Sequence, residues 1–561
     1  KEFYTKKIDK SPRITKLVDD LFKKLPEVES ARAILITESY KQTEGEPMIT
    51  RRAKAFAHIL DNLPIIIRDG ELIVGSTTIA PRGCQTYPEF SYEWLEAEFE
   101  TLATREADPF YISDKTKEEL REANKYWKGK TTSELATNYM DPAALAAFTH
   151  EMFTVGNYYF NGVGHITVNY GKVIKYGYRY MINEVKEARK KCCIAEEDFP
   201  TRIHYYDAVV MSLEAVIRYA HRYSDLANKL ANECSDNTRK KELQEIARIT
   251  AKCPEFPAES FQEALQSFWF VQQLLQVESS GHSISPGRFD QYMYPYFEAD
   301  LNKGLITREH AQELVDCVWV KLNDLNKCRD CVSAEGFAGY SLFQNLIVGG
   351  QDVNGQDATN DLSYMCITAT EHVFLPQPSF SIRVWNGSPH SLLIRAAELT
   401  RTGIGFPAYY NDEVIIPQLI ARGLTVADAR DYNIIGCVEP QKAFKTEGWH
   451  DAAFFNMCRP LELVFSNGMD KGFQLGPRTG EVSEFKTFEQ FNEAYQKQIG
   501  HFIRCLVNCI NSIDYAHRER CPLPFESSMV DGCLEKGKSL QEGGAHYNFS
   551  GPQGFGVANM A

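Results

Sequence analysis

The chain has 561 residues, 43% hydrophobic and 24% charged, the usage of a globular protein large enough to build an extensive core. A net charge of −14 excludes a phosphate-binding surface as its main business, because nucleic-acid recognition draws on clustered Lys and Arg. No apolar run approaches the ~18–20 residues of a membrane span, and the opening Lys1-Glu2-Phe3-Tyr4-Thr5-Lys6-Lys7 carries no apolar secretion core, so a cytoplasmic protein is expected. Fifteen cysteines are scattered without the spacing of a disulfide framework and read as reduced, mostly buried thiols.

Along the chain the first third reads as helix. Ser30 to Thr43 and Arg51 to Leu60 show helical spacing, with a short strand expected at Glu71-Leu72-Ile73-Val74-Gly75. Further helices are predicted over Tyr206 to Glu233, Asn237 to Lys252, Ala258 to Val277 and Thr307 to Leu325, the last with Thr307 as N-cap. From Phe343 onward, strands at Asn345 to Gly349 and Ser379 to Val384 interleave with helices at Asp361 to Val373, Ser391 to Arg401 and Asp412 to Arg422. That alternation marks a mixed α/β core. A long helix follows from Thr487 to Arg518. Without linkers or repeats, residues 1–561 read as one large domain.

Four segments are rich in convergent polar groups. Asn157 to His165 is aromatic and glycine-rich, ending Gly162-Val163-Gly164-His165; a structural histidine in a loop is its bland reading. In Ser280 to Asp290, His282 and Ser283 adjoin a Pro-Gly turn and would serve equally as turn residues. The octapeptide Asn433-Ile434-Ile435-Gly436-Cys437-Val438-Glu439-Pro440 carries the main signal. Residues i and i+2 of an extended segment face the same side, so Cys437 and Glu439 are expected to look into one cavity about 6–7 Å apart along the chain. Gly448-Trp449-His450-Asp451 follows, with Asp451 read as N-cap of a helix over Ala452 to Cys458.

Other motifs are discounted. Gly532-Cys533-Leu534-Glu535-Lys536-Gly537-Lys538-Ser539 matches the phosphate-loop pattern, yet no buried strand precedes it and Gly543-Gly544 follows at once. Cys328-Arg329-Asp330-Cys331 is a lone CxxC, and Cys505 and Cys509 lack a third cysteine, so no metal site is supported. The adjacent thiols of Cys192 and Cys193 lie in a Lys- and Glu-rich helical stretch.

Gly436-Cys437-Val438-Glu439-Pro440-Gln441, followed by Lys445-Thr446-Glu447-Gly448-Trp449-His450-Asp451 and preceded by Gly281-His282-Ser283-Ile284-Ser285, resembles the glycyl radical enzyme family. The likeness is specifically to its cobalamin-independent glycerol/propane-1,2-diol dehydratases, and it extends through Thr131 to Thr137 and Tyr547 to Gly554. It implies a ten-stranded barrel of two antiparallel five-stranded halves, surrounded by helices, with the cysteine loop inside. It implies catalysis through a Cys437 thiyl, Glu439 as base, His165 protonating the leaving hydroxyl with Asp451 assisting, and His282, Ser283, Tyr340 and Asn157 binding a diol. It implies further a glycyl radical installed by a separate S-adenosylmethionine/iron–sulfur activase, no directly bound cofactor, and a homodimer. The family's Arg-Val-x-Gly-Tyr radical loop does not occur before Ala561. On the resemblance, the chain is expected to be a fragment ending before the radical domain, inert as it stands. Alternatives are another glycyl radical lyase such as one acting on choline, a catalytically inactive scaffold, or a cysteine hydrolase.

Overall fold

The computed structural model describes residues 3–561. Its helical layer follows from apolar stripes at helical spacing. Helix α1 (Phe199–Glu233) buries Val209, Leu213, Val216, Ala220, Tyr223 and Ala227, alternating steps of three and four that keep one face inward. Helix α2 (Asn237–Lys252), capped by Asp236 accepting from the Arg239 N–H, packs against it. Helix α3 (Phe261–Glu278) is buried on every side, the pattern of a central core helix.

Because α3 has no solvent face, its polar side chains must find partners inside. Gln266 accepts the Val74 N–H at 2.9 Å and donates to the Val74 carbonyl at 2.8 Å, while Trp269 donates to Gly75 O at 3.0 Å. This corrects the strand expected over 71–75. The segment is buried but irregular, and a glutamine amide satisfies Val74 in place of a neighbouring strand.

The strands are short: β1 (Phe153–Thr154), β2 (Asn345–Gly349), β3 (Ser379–Val384), β4 (Ala408–Asn411), β5 (Tyr432–Ile435), β6 (Glu439–Lys442), β7 (His450–Asn456) and β8 (Gly551–Phe555). β2, β3 and β4 run parallel, Asn345 opposite Ser379 and Ser381 opposite Ala408, with the intervening helices Asp361–Val373 and His390–Arg401 making the crossovers. Parallel bridges Gly287↔Leu346 and Ile166↔Ile284 extend this array to five side-by-side segments. β7 pairs parallel with β8 and antiparallel with β1. The mixed, helix-rich α/β class stands as read, while among the described residues the strand ladder is divided into short sheets.

The antiparallel hairpin β5–β6, Ile435 opposite Glu439, is tied against the parallel array. Asn433 Nδ2 donates to Thr167 Oγ1 (2.7 Å), Asn345 Nδ2 to Gly436 O (3.1 Å), and the Gly436 N–H to Ser285 Oγ (3.2 Å). Below it the Arg383–Asp412 ion pair is fully buried at 2.8 Å, with Tyr432 donating to the same carboxylate.

Two expectations around the hairpin change. Residues 436–438 form a turn, so Cys437 and Glu439 do not lie on one extended strand. Residues 452–456 are strand and not helix: β8 on one side and β1 on the other supply backbone partners that override the helical preference of Ala452 and Ala453, Phe454 and Phe455 suit a strand, and the next helix starts at Cys458. Phosphate-loop-like residues 532–539 hold only the four-residue helix Cys533–Lys536, preceded by the helical turn Pro524–Ser527 and not by a strand.

Candidate active site

The glycines of two predicted segments permit a close backbone crossing. A Cβ on Gly164 would sit 2.1 Å from His282 O, and one on Gly281 would sit 2.1 Å from Val163 O. The His165 N–H donates to His282 O at 2.7 Å. His165, Ser283, Phe343 and Asp451 all hold left-handed backbone, at φ of 53°, 61°, 52° and 61°. Such conformations are uncommon outside glycine, and their gathering at one cavity marks a functional region.

That cavity has a volume of about 600 Å³. Asn157, His165, His282, Ser283, Cys437 and Asp451 line it, six of the eight residues singled out in the sequence. Phe337, Phe343 and Phe454 form its apolar wall, with Arg329 and Gln553 completing the polar side. Tyr340 does not join them. Its hydroxyl donates to Pro109 O at 2.7 Å, and its ring packs on Phe110 with Arg82 over its face, so the expected hydroxyl-binding role has no geometry behind it. Glu439 is 8% exposed, and its carboxylate folds back to accept the Val438 N–H at 2.9 Å and Gln553 Nε2 at 2.9 Å.

Cys437 is exposed, not enclosed as expected, because the turn 436–438 projects from the hairpin. It lies where the first cavity meets a second of about 470 Å³, lined in part by Asn345, Phe380, Ser381 and Ala408. Surrounding protein still desolvates the thiol, and together with the Glu439 and Asp451 carboxylates raises its pKa to about 12, against the opposing charge of Arg329. The sulfur therefore keeps its hydrogen at neutral pH.

A continuous hydrogen-bond chain connects the polar side. Arg329 Nε donates to His282 Nε2 at 2.9 Å, and His282 Nδ1 lies 3.3 Å from Asn157 Oδ1. Asn157 Nδ2 donates to Asp451 Oδ2 at 3.0 Å. Gln553 Nε2 then donates to both Asp451 Oδ1 (3.1 Å) and Glu439 Oε1 (2.9 Å). His165 Nε2 stands 3.7 Å from Asp451 Oδ2.

Burial, and then the Glu439 charge, lift the Asp451 carboxyl to about 8, against the Asn157 hydrogen bond and Arg329. Burial also raises Glu439, but the amides of its own turn and Gln553 oppose the rise. His165 is lowered to about 3, by burial first and then by His450 and Arg329. The site thus combines a protonated thiol, a neutral imidazole and two carboxyl groups that burial raises, with the Glu439 rise opposed by more hydrogen bonds.

Sequence reasoning missed Arg329 and Gln553. Arg329 lay in a stretch weighed only as a CxxC, and Gln553 in a tail quoted only for its family likeness; both act through partners distant along the chain.

Residues 5–561 match the family described as pyruvate formate lyase-like. The chain superposes, with a TM-score of 0.99 and 64% identity, on a structure from Roseburia inulinivorans concerned with 1,2-propanediol dehydration, covering 100% of this chain and 70% of that one. It is 56% identical, with a TM-score of 0.96 and the same coverage, to the glycerol-bound B12-independent glycerol dehydratase of Clostridium butyricum. A third relative, (2S)-3-sulfopropanediol dehydratase of Klebsiella oxytoca, is 34% identical over 98% of this chain and 68% of its own length. The chain belongs to the pyruvate formate lyase-like glycyl radical enzymes. Within that family its relatives support radical dehydration as the class of chemistry. Among the described residues no helix is long and apolar enough to cross a membrane.

Proposed function

We propose that this protein dehydrates a small vicinal diol, glycerol or propane-1,2-diol, to an aldehyde and water through the sulfur of Cys437. The observation that carries the reading is one amide, Gln553 Nε2, bridging the Glu439 and Asp451 carboxyl groups beside a cavity that also contains a protonated thiol. The family's glycyl radical, installed by a separate activase, supplies the means of removing the hydrogen atom from that thiol. Cys437 fits such a partner: its Sγ keeps its hydrogen and the residue opens on a second cavity as well as on the diol's.

The remaining roles belong to this chain's side chains. Cys437 removes a hydrogen atom from C1 and later returns one to the product carbon. Glu439, kept available as a base by its turn amides, accepts the C1 hydroxyl proton. Asp451, protonated at neutral pH, donates to the departing C2 hydroxyl, which leaves as water. This reverses the expected order of donors, since His165 lowered to about 3 has no spare proton at neutral pH and serves as a neutral polar wall. Net proton change is zero: one proton enters Glu439 and one leaves Asp451, and Gln553 contacts both.

Arg329 on the cavity wall speaks against a quaternary ammonium substrate, which a like charge would repel. The decisive test is anaerobic activation of the full-length gene product by the radical S-adenosylmethionine activase, followed by aldehyde detection with each diol. A glycyl radical signal without aldehyde from either would sink the assignment.

A further inference from the structure

We propose that Cys84 and Cys328 are a reactive thiol pair, joined into a disulfide by a hydroperoxide and released by a dithiol, and that the bond displaces the stretch that carries Lys327 and Arg329 behind the main cavity. Cys328 belongs to the Cys328-Arg329-Asp330-Cys331 stretch, too small a set of thiols for a metal. Cys84 lies fully buried on the two-residue strand Cys84–Gln85, which pairs parallel with Val28–Glu29. The Cys84 thiol donates to Cys328 Sγ, and the Cys328 N–H donates back to Cys84 Sγ. Half-buried Cys328 packs against the apolar cluster of which Cys84 is a member. The other thiol of the stretch, Cys331, opens the helix Cys331–Gly336 and turns to Glu335 Oε1 at 3.7 Å. The cross-strand partner of Cys328 is therefore Cys84 and not its own CxxC neighbour.

Exposure sets the order of events. A cavity of about 30 Å³, lined in part by Gln85, Ser280, Lys327 and Cys328, reaches the pair and has room for one small peroxide. Arg105 Nη2 stands 3.9 Å from Cys328 Sγ, a positive charge against the sulfur that attacks. Burial first, and then Cys328, raise the Cys84 thiol well above its ordinary value, so Cys84 keeps its hydrogen until its partner has reacted. In the first step the Cys328 sulfur bonds one oxygen of the hydroperoxide, the O–O bond breaks, and the other oxygen leaves as an alcohol with the Cys328 proton. In the second step the Cys84 sulfur displaces the sulfenic oxygen and the S–S bond forms; that oxygen leaves as water with the Cys84 proton. The two thiols give up two electrons, and the hydroperoxide takes them. A covalent bond holds sulfurs closer than a hydrogen bond does, so Cys328 is drawn toward its strand partner. Lys327 and Arg329 move with it. Lys327 Nζ donates to Ser279 O at 3.4 Å and to Gly281 O, and Arg329 lines the main cavity, so the displacement reaches the segment 279–281 and the cavity wall.

The test uses the unsubstituted full-length gene product, reduced and not activated, treated with hydrogen peroxide and digested after its free thiols are blocked. Mass spectrometry should find the peptides of Cys84 and Cys328 joined and lighter by the two thiol hydrogens, and dithiothreitol should return both as free thiols. A Cys328–Cys331 disulfide, or Cys328 accumulating as sulfinic acid beside an unreacted Cys84, overturns the pairing. Displacement of the wall is read by hydrogen exchange in the oxidised and reduced protein. Amides of 279–283 and 327–330 should change their exchange rates by at least about threefold, while those of the distant helix α2 stay as they were. The disulfide formed with exchange unchanged in both segments overturns the claim on the cavity. Both readouts are free of diol turnover, so a failed dehydratase assignment leaves the thiol pair untouched.

Discussion

Replacing Gln553 by Met keeps the side chain's length and removes the one donor shared by Glu439 and Asp451. Both oxygens that it serves belong to carboxyl groups under 10% exposed, at 2.9 and 3.1 Å. A hydrogen bond to an ionised group contributes about 1.5–3 kcal/mol, and one pKa unit corresponds to about 1.4 kcal/mol, so losing the Gln553 bond should raise Glu439 by about 1–2 units. Glu439 works as a base only when ionised. The acid limb of the kcat/KM profile therefore moves to higher pH by about 1–2 units, and at a fixed pH on that limb the rate falls by a factor of about 10–100. The assay is aldehyde formation by activated enzyme across the pH range, with radical content measured in each sample. Should the acid limb stay where it is while the rate falls, Gln553 only fills space and the bridged-carboxyl argument is refuted.

Other outcomes follow from the same geometry. Cys437→Ser should abolish aldehyde formation while leaving glycerol affinity unchanged by calorimetry, since the oxygen is a poor hydrogen-atom donor in place of sulfur. Gly436→Ala places a Cβ 2.8 Å from Ser283 Oγ and 3.2 Å from Glu439 Oε2 at a φ of +59°, so it should cost about 1–2 kcal/mol in chemical denaturation and lower the rate. Asp451, lifted from 3.8 to about 8, binds a proton in the folded chain that the unfolded chain has already released; its contribution to stability falls as pH rises through that window, and Asp451→Asn should flatten that part of the stability profile. Loss of the Asp451 proton should also bring the rate down above about pH 8. Arg383→Met leaves Asp412 buried and unpaired and should cost about 3–5 kcal/mol in the same denaturation measurement.

The polar segments were legible because tight backbone approach leaves glycine as its mark: Gly164, Gly281 and Gly436 each stand beside a site residue and each abuts another segment. Helix α1 was legible because its apolar stripe is local. What escaped was set by partners remote in the chain. Ala452 to Cys458 reads as helix until β8, about 100 residues later, pairs with most of it, and the stretch 71–75 reads as strand until Gln266 takes the Val74 backbone groups. Gln553 reaches Glu439 across 114 residues and Arg329 reaches His282 across 47, separations that no periodicity encodes. The thiol and carboxylate were assigned to one face by strand geometry; they come together through a turn, for a different reason from the one given by the sequence.

Left-handed backbone at His165, Ser283, Phe343 and Asp451 limits how this cavity can diversify. At those places a β-branched replacement clashes with its own main chain, and Gly, Asn, Asp or His are the inexpensive choices. Drift toward a bulkier or more polar ligand is freer at positions such as Val332, Ser333 and Phe454, which line the same space on ordinary helical or strand backbone. A library confined to those three positions should retain folded members at a far higher rate than one spread over the four.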